Sequence, residues 1–124
     1  MSTIAGNIAA NIRASLFDMS GQIQASHILV SYVDAQNSSS QLTKDNALER
    51  IQDLRSQVLS GTAFFNIATE FSDCPSAEKG GALGTFGRGA MVEAFDIAAF
   101  DLEVGEVSDV VETEFGFHLI HRTG

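Results

Sequence analysis

The stretch that decides the fold is FSDCPSAEKGGALGTFGRGAMVEAF, residues 71–95. It holds the chain's one cysteine, Cys74, its one proline, Pro75, and five of its 11 glycines. Large apolar side chains alternate with these glycines at Phe86, Met91 and Phe95. Glycine permits positive φ and close backbone approach, so the stretch predicts a glycine-shaped surface lined with apolar side chains. Such a surface fits a shallow apolar site with a polar group at its edge.

Composition limits the classes of protein that the chain can belong to. Its 124 residues are enough for one domain with a core, and a hydrophobic content of 44% is typical of a globular protein. The net charge of -9 disfavours binding to nucleic acid or to an anionic membrane surface. One cysteine cannot form an internal disulfide. The N-terminus lacks the apolar run of a signal peptide, so we expect a cytoplasmic protein.

Residues 1–24 predict an N-terminal extension that contains a helix. Ile4, Ile8, Ile12 and Leu16 recur at four-residue spacing and form one helical stripe. The Ser-Gly pair at residues 20–21 is typical of a helix stop. An amphipathic stripe alone names no partner, so we favour packing on the domain over a partner or dimer contact.

The remaining chain alternates between strand-like and helix-like segments. Thr43 and Thr62 are candidate caps for two helices with apolar stripes, and a glutamate-phenylalanine-glycine run at 114–116 predicts a closing hairpin. The pattern predicts an α+β fold with a small, mostly antiparallel sheet. The predicted strands are 25–33, 83–86, 107–113 and 117–122, and the predicted helices are 43–60, 62–71 and 92–100.

Two histidines and a threonine form a possible polar cluster. His27 lies in the first predicted strand and His118 in the last, so pairing of these strands would bring both imidazoles onto one sheet face. Thr113, across the hairpin, could hydrogen-bond one of them and select its tautomer. By the same alternation, His121 should not share the face of His118.

Three classes of site remain open from these residues. One is a thiol hydrolase that uses Cys74 with a histidine base and glycine N–H groups as an oxyanion hole. The second is a metal site of Cys74 and histidines, whose spacing matches no compact zinc motif. The third is an apolar pocket that binds peptide, with or without catalysis. A lone cysteine is more often a small buried apolar residue, and Phe86, Met91 and Phe95 could equally be ordinary core.

Five short motifs in order resemble the parvulins, which are peptidyl-prolyl cis/trans isomerases. The resemblance runs from Ala25 to Gly124, and it implies a four-stranded antiparallel sheet flanked by helices in a domain spanning 25–124. It implies an enzyme without a metal or organic cofactor, acting on proline-containing peptides and folding proteins, and we expect a monomer. The motifs are SHILV (26–30), FSDCPS (71–76), GGALGTF (80–86), GAMVEAF (89–95) and TEFGFH (113–118).

The resemblance also implies roles for individual residues. His27 and His118 would lie on the sheet floor as a histidine pair, with Thr113 bonded to it, and Cys74 would face the reacting prolyl bond. These four are the expected catalytic residues. The expected proline pocket consists of Leu83, Phe86, Met91 and Phe95, with Phe115 at its edge.

Two departures from the family pattern affect specificity. Phosphate-directed parvulins carry an arginine cluster and a lysine in the loop after the first strand, but residues 31–41 contain neither residue type and include Asp34. A dianionic phosphate needs Arg or Lys partners, so we expect no phosphate requirement. Ala82 stands where an aspartate is common, which affects a turn contact. A non-catalytic peptide-binding or chaperone module using the same groove is the alternative function.

Overall fold

The computed structural model describes residues 21–124. The predicted N-terminal helix therefore lies outside the described residues, which include only the last four positions of the 1–24 extension. In the described part, none of the helices is long and apolar enough to cross a membrane. The elements are β1 (Gln22–Val30), α1 (Lys44–Leu59), α2 (Phe64–Phe71), a short 3-10 helix (Pro75–Lys79), β2 (Ala82–Gly87), α3 (Glu93–Phe100), β3 (Val111–Thr113) and β4 (Gly116–Arg122).

The strands of residues 21–124 form one antiparallel sheet in the order β2-β1-β4-β3. The first and last strands therefore pair at the centre, as the histidine argument required. In their register Leu29 is opposite His118, and His27 is opposite Ile120. The predicted α+β class with a four-stranded antiparallel sheet is confirmed.

Alternation along β1 and β4 gives the sheet two different faces. On what we call the closed face, Ile28 and Val30 of β1 and Leu119 of β4 are buried in a cluster with α1 and α2. The apolar stripe of α1 supplies Ile51 and Leu54, both fully buried. This face is the larger core, and helices cover it.

The other side, the open face, carries Ile23, Ala25 and His27 of β1 and His118 and Ile120 of β4. Only one helix, α3, packs over part of this face in the described chain, through Phe95 and Ala99. The apolar end of the open face is therefore a second core, and the histidines lie at its boundary.

The first strand is displaced from its predicted position, 25–33. It begins at Gln22, because its early residues pair with β2 from Gln22 opposite Gly87 onwards. It ends at Val30, because the N–H of Ser31 donates to the carboxylate of Asp73 instead of to a strand. Residues 22–24, predicted as part of the extension, thus belong to the sheet.

Two other local predictions were wrong. The strand predicted for 107–113 is continuous only over Val111–Thr113, with an isolated antiparallel bridge between Val107 and His121. The Oγ of Ser108 accepts from the N–H of Ile120 at 3.0 Å, so a side chain replaces a ladder bond there. The second predicted cap, Thr62, is not used: α2 has Ala63 at its N-cap, with no side-chain hydrogen bond, whereas Thr43 does cap α1.

Candidate active site

The centre of the site is a pair of stacked imidazoles on the open face. The ring centroids of His27 and His118 are 5.3 Å apart with an interplanar angle of 20°. Their Nδ1 atoms are 3.2 Å apart, so one Nδ1 donates and the other accepts. Pairing of β1 with β4 places them together, as alternation predicted. His121 instead contacts Phe64, on the closed face, at a centroid distance of 5.2 Å.

Both imidazoles are neutral near pH 7. Burial lowers the pKa of His27 from 6.5 to about 4. Burial, followed by repulsion from the His27 charge, lowers the pKa of His118 to about 3. A protonated imidazole here would lose its hydration without gaining an anion. The pair is thus a hydrogen-bonded polar floor that does not serve as a cation at physiological pH.

Thr113 extends the hydrogen-bond network of the histidine pair. Its Oγ1 lies 2.7 Å from His118 Nε2 and accepts from the N–H of Phe115 at 3.2 Å. When the hydroxyl donates to His118 Nε2, the neutral His118 carries its hydrogen on Nδ1 and donates to His27 Nδ1; in the other His118 tautomer both bonds reverse. The Nε2 of His27 is buried and has no hydrogen-bond partner in the described part of the chain.

Phe95 joins the histidine pair to the apolar part of the site. Its ring packs edge-on against His27 at 5.5 Å and against His118 at 5.3 Å. On the other side it contacts Phe86 at 6.4 Å between centroids. Leu83 and Met91 are partly buried against the same cluster. The apolar residues predicted for the proline pocket therefore lie together, beside the histidines.

The segment carrying Cys74 enters the site between α2 and β2. Cys74 is partly exposed, and its carbonyl accepts from the N–H of Ala77 at the start of the 3-10 helix. The carbonyl of Gly81, after that helix, accepts from the N–H of His27 at 2.9 Å. Gly81 has φ +86, and a Cβ there would collide with the His27 carbonyl oxygen. Glycine at this position thus lets the loop approach the histidine strand.

A cavity of about 310 Å³ opens over the histidine floor. Cys74, His27 and His118 line it with Phe115, which brings three of the four predicted catalytic residues and the pocket edge around one space. Thr113 and the four predicted apolar pocket residues lie outside this lining. The same cavity is bounded by residues that sequence reasoning did not select: Leu29, Ser31, Gln36, Asn37, Ser38, Ser39, Ser40, Asp73 and Pro75.

Some of these additional lining residues could have been predicted from the sequence. Leu29 and Ser31 share the strand face of His27, so alternation alone would have placed them at the site. Asp73 precedes Cys74 directly. The polar loop 36–40 has no periodicity that could place it over the cavity, and its position depends on long-range contacts such as the bond from Gln36 N–H to the Glu114 carbonyl.

The geometry argues against two of the alternative sites. Among residues 21–124 no three His, Cys, Asp or Glu side chains form a group that could hold a metal. For a thiol hydrolase, a histidine would have to hydrogen-bond the Cys74 thiol as a base, and no such bond forms among the described residues, where His118 is bonded to His27 and Thr113.

Comparison with known proteins gives the family of this chain. Residues 27–124 match the rotamase family model, described as the PPIC-type PPIase domain. The chain is 42% identical over 114 residues to a peptidyl-prolyl cis-trans isomerase Pin1 of Malus domestica, covering 83% of this chain and 94% of that protein.

Solved structures agree with this match. The peptidyl-prolyl isomerase ESS1 of Candida albicans superposes with a TM-score of 0.86 at 32% identity, over 94% of this chain and 72% of that one. NmPin, the parvulin of Nitrosopumilus maritimus, is 42% identical with a TM-score of 0.60, over 84% and 97% of the two chains. With its sheet, its histidine pair and its family match in agreement, the chain belongs to the PPIC-type family, the parvulins, and is a peptidyl-prolyl cis/trans isomerase.

Proposed function

We propose that this isomerase accelerates rotation of X-Pro bonds in peptides and folding proteins without a phosphate on the residue before proline. The observation that carries the proposal is the wall of the cavity beside Cys74. Gln36, Asn37 and three serines form it together with Asp73, and no Lys or Arg is among the described residues that line it. This wall offers hydroxyl and amide groups to a neutral side chain on the substrate residue before proline.

A phosphate in this cavity would lose water without gaining a cation. Charge-assisted bonds from Arg or Lys normally replace the hydration of a phosphate dianion, and Asp73 adds a negative charge to the same wall. Two of the described cations have other contacts: Lys44 lies 2.8 Å from the Glu112 carboxylate, and the Arg88 guanidinium lies 4.4 Å from the centre of the Phe100 ring. We infer that the enzyme acts on unmodified sequences.

The catalytic proposal is binding of the twisted amide. Rotation about an X-Pro bond is slow because the twisted state loses amide resonance, with a barrier of about 20 kcal/mol. An enzyme that binds this state better than either planar isomer lowers the barrier without breaking a bond. Leu83, Phe86, Met91 and Phe95 would hold the pyrrolidine ring, with Phe115 at the edge, while the carbonyl rotates.

The polar residues would set the polarity and the hydrogen-bonding groups beneath that carbonyl. Neutral His27 and His118, oriented by Thr113, present hydrogen-bonding groups in a water-poor setting where such groups act strongly. Cys74 would face the reacting bond as a polar partner. We propose no covalent intermediate, since isomerisation needs none.

The specificity proposal is tested by NMR exchange spectroscopy, without a coupled protease, on peptides that differ only in Ala-Pro, Glu-Pro or phosphoserine-Pro. We expect fast exchange on the unphosphorylated peptides, with kcat/KM for Ala-Pro at least equal to that for phosphoserine-Pro. Exchange confined to the phosphopeptide would show the specificity proposal to be wrong. Binding without exchange on any peptide would favour the non-catalytic module.

An added cation gives a sharper version of this test. Ser39→Arg places a guanidinium on the exposed loop that lines the cavity, and we expect the phosphoserine-Pro to Ala-Pro ratio of kcat/KM to rise by about tenfold. Gln52→Arg adds the same charge on the exposed surface of α1 and serves as the control. An equal rise in both variants would indicate long-range attraction in place of a local phosphate contact.

The role of Cys74 is tested by Cys74→Ser and Cys74→Asp. Both substitutions keep a polar group at the site but remove the thiol nucleophile. We expect each folded variant to retain measurable exchange in the Ala-Pro assay. Complete loss in both variants, with the fold verified by NMR, would favour nucleophilic catalysis.

The enzyme's setting is proposed from composition alone. We infer a monomer that works in the cytoplasm on proline-containing proteins, with no nucleic-acid or membrane partner. The net charge of -9 supports the exclusion of polyanionic partners.

A further inference from the structure

The edge of β1 loses its strand partner before it reaches the end of the site. The register with β2 ends at Ser26 opposite Ala82, and the next contact on this side is the bond from His27 N–H to the Gly81 carbonyl. Backbone groups at Leu29 and Ser31 then point away from β4, as alternate residues of a strand edge do. These groups need partners where no strand supplies one.

Ser72 and Asp73 supply those partners. The N–H of Leu29 donates to Ser72 Oγ at 3.0 Å, and the N–H of Asp73 donates to the Leu29 carbonyl at 2.7 Å. The N–H of Ser31 donates to Asp73 Oδ2 at 2.8 Å. One backbone group and two side chains thus pair with β1 in place of a continuation of β2.

This pairing holds the residue that follows it. Cys74 N–H is 3.4 Å from Ser72 Oγ, and on its other side the Cys74 carbonyl accepts from Ala77 N–H at 2.9 Å. Cys74 is therefore held between the β1 edge and the first turn of the 3-10 helix. Small displacements of a reacting group lower the catalytic rate strongly, because only a small range of positions is productive.

The same contacts reach the opposite wall of the cavity. Ser31, bonded to Asp73 through its N–H, donates its hydroxyl to the carbonyl of Phe115 at 2.8 Å. Asp73 and Phe115 both line the cavity over the histidines. Ser31 therefore connects the wall that carries Cys74 to the wall that carries Phe115.

We propose that Ser72 and Asp73 are positioning residues of the isomerase, which hold Cys74 and, through Ser31, Phe115 at the working separation across the cavity. The inference rests on the proposed function in one respect, namely that Cys74 and Phe115 contact the substrate. Asp73 acts as a hydrogen-bond acceptor, and its charge is not required.

Two pairs of variants test the proposal. Asp73→Ala removes the acceptor, whereas Asp73→Asn keeps an acceptor oxygen of the same shape; Ser72→Ala and Ser72→Thr form the second pair. We expect kcat on the Ala-Pro peptide to fall about tenfold in each alanine variant, with KM changed less than about threefold. Asp73→Asn and Ser72→Thr should stay within about threefold of the wild-type kcat.

A second readout reports on Cys74 itself. The rate of alkylation by iodoacetamide, at one pH and below the unfolding transition, should rise at least about threefold in Asp73→Ala and stay near the wild-type rate in Asp73→Asn. Asp53→Ala, which removes an exposed carboxylate on α1 that accepts from Gln57, is the matched control for both measurements.

Three outcomes would overturn the proposal: an unchanged kcat in Asp73→Ala, an equal loss in Asp73→Asn, or a loss that matches the fall in folded fraction measured by NMR. Failure of the proposed function is distinguishable. Wild-type protein without exchange on any peptide would remove the isomerase role, while the alkylation rates would still show whether Asp73 positions Cys74.

Discussion

The two faces of the sheet are built from the same two central strands, yet helices cover one face and only part of the other. The closed face presents Ile28 and Leu119 to α1 and α2, and both side chains have no exposed surface. The open face presents His27 and His118, which burial keeps neutral and one of which has a buried unpaired nitrogen. The closed face mainly stabilises the folded state, and the open face holds the polar residues of the candidate active site.

The difference shows how one pair of strands can contribute both to the core and to the active site. Adjacent residues such as His118 and Leu119 point to opposite sides, so each strand contributes alternately to the core and to the site. Substitutions on the closed face should therefore change stability at nearly constant activity per folded molecule. Changes to the polar residues of the open face should alter activity as well as stability.

The largest expected effect of a single substitution is on the closed face. Leu119→Ala removes a fully buried side chain between the sheet and the helices, and we expect a loss of about 3 kcal/mol in the free energy of unfolding. Urea denaturation followed by circular dichroism measures this loss, and the exchange assay should give a nearly unchanged kcat per folded molecule. Ile97→Ala, at a side chain that is 61% exposed, is the control with an expected loss below about 0.5 kcal/mol.

A smaller stability loss in Leu119→Ala than in Ile97→Ala would contradict the assignment of the closed face as the main core. A kcat that falls in proportion to stability would contradict the separation of the two faces.

The next effect concerns pH and the open face. The pKa values of His27 and His118 are about 4 and 3 in the folded protein and 6.5 in model compounds, so the unfolded chain binds more protons between these values. The contribution of the two neutral histidines to the free energy of unfolding is therefore present above pH 6.5, and it is lost as pH falls toward their pKa values in the folded protein. We expect a decrease of the order of 2 kcal/mol per histidine between pH 7 and pH 5, measured by urea denaturation at each pH.

The double variant His27→Leu, His118→Leu removes both titrating groups from the open face. Its stability should depend much less on pH between 7 and 5, even if its absolute value changes. A profile as steep as that of the wild type would place the responsible groups elsewhere.

The smallest expected effect compares two threonines at helix starts. Thr43 Oγ1 accepts from Asn46 N–H at 3.1 Å, so Thr43→Ala should lose about 1 kcal/mol. Thr62 precedes an N-cap formed by Ala63 without a side-chain bond, so Thr62→Ala should be nearly neutral. Thermal unfolding of the two variants side by side measures the difference, and equal losses would contradict the cap assignment.

Much of this arrangement could be predicted from local patterns. Alternation placed His27 and His118 on one face and His121 on the other, and the apolar stripe of α1 predicted its buried side. The glycine-rich stretch predicted a shaped apolar surface, and Phe86 and Phe95 do pack there beside the histidines. Such features depend on residues that are close in the sequence, so they can be predicted from one sequence alone.

Features that depend on distant neighbours could not be predicted. The start of β1 at Gln22 reflects pairing with Gly87, and its end reflects the carboxylate of Asp73. The shortening of β3 reflects the Ser108 hydroxyl, which replaces a strand bond to Ile120. A side chain that substitutes for a backbone partner leaves no periodic signal, so both the strand limits and the cavity wall were missed.

The side-chain pairing at the end of β1 also bears on association between molecules. A bare strand edge is a template for an extra strand from a peptide or from another copy of the chain. Here Ser72 and Asp73 already occupy the outward groups of Leu29 and Ser31. The contacts that hold Cys74 in place therefore also protect this edge against β-augmentation, so a substrate must enter the site without joining the sheet here.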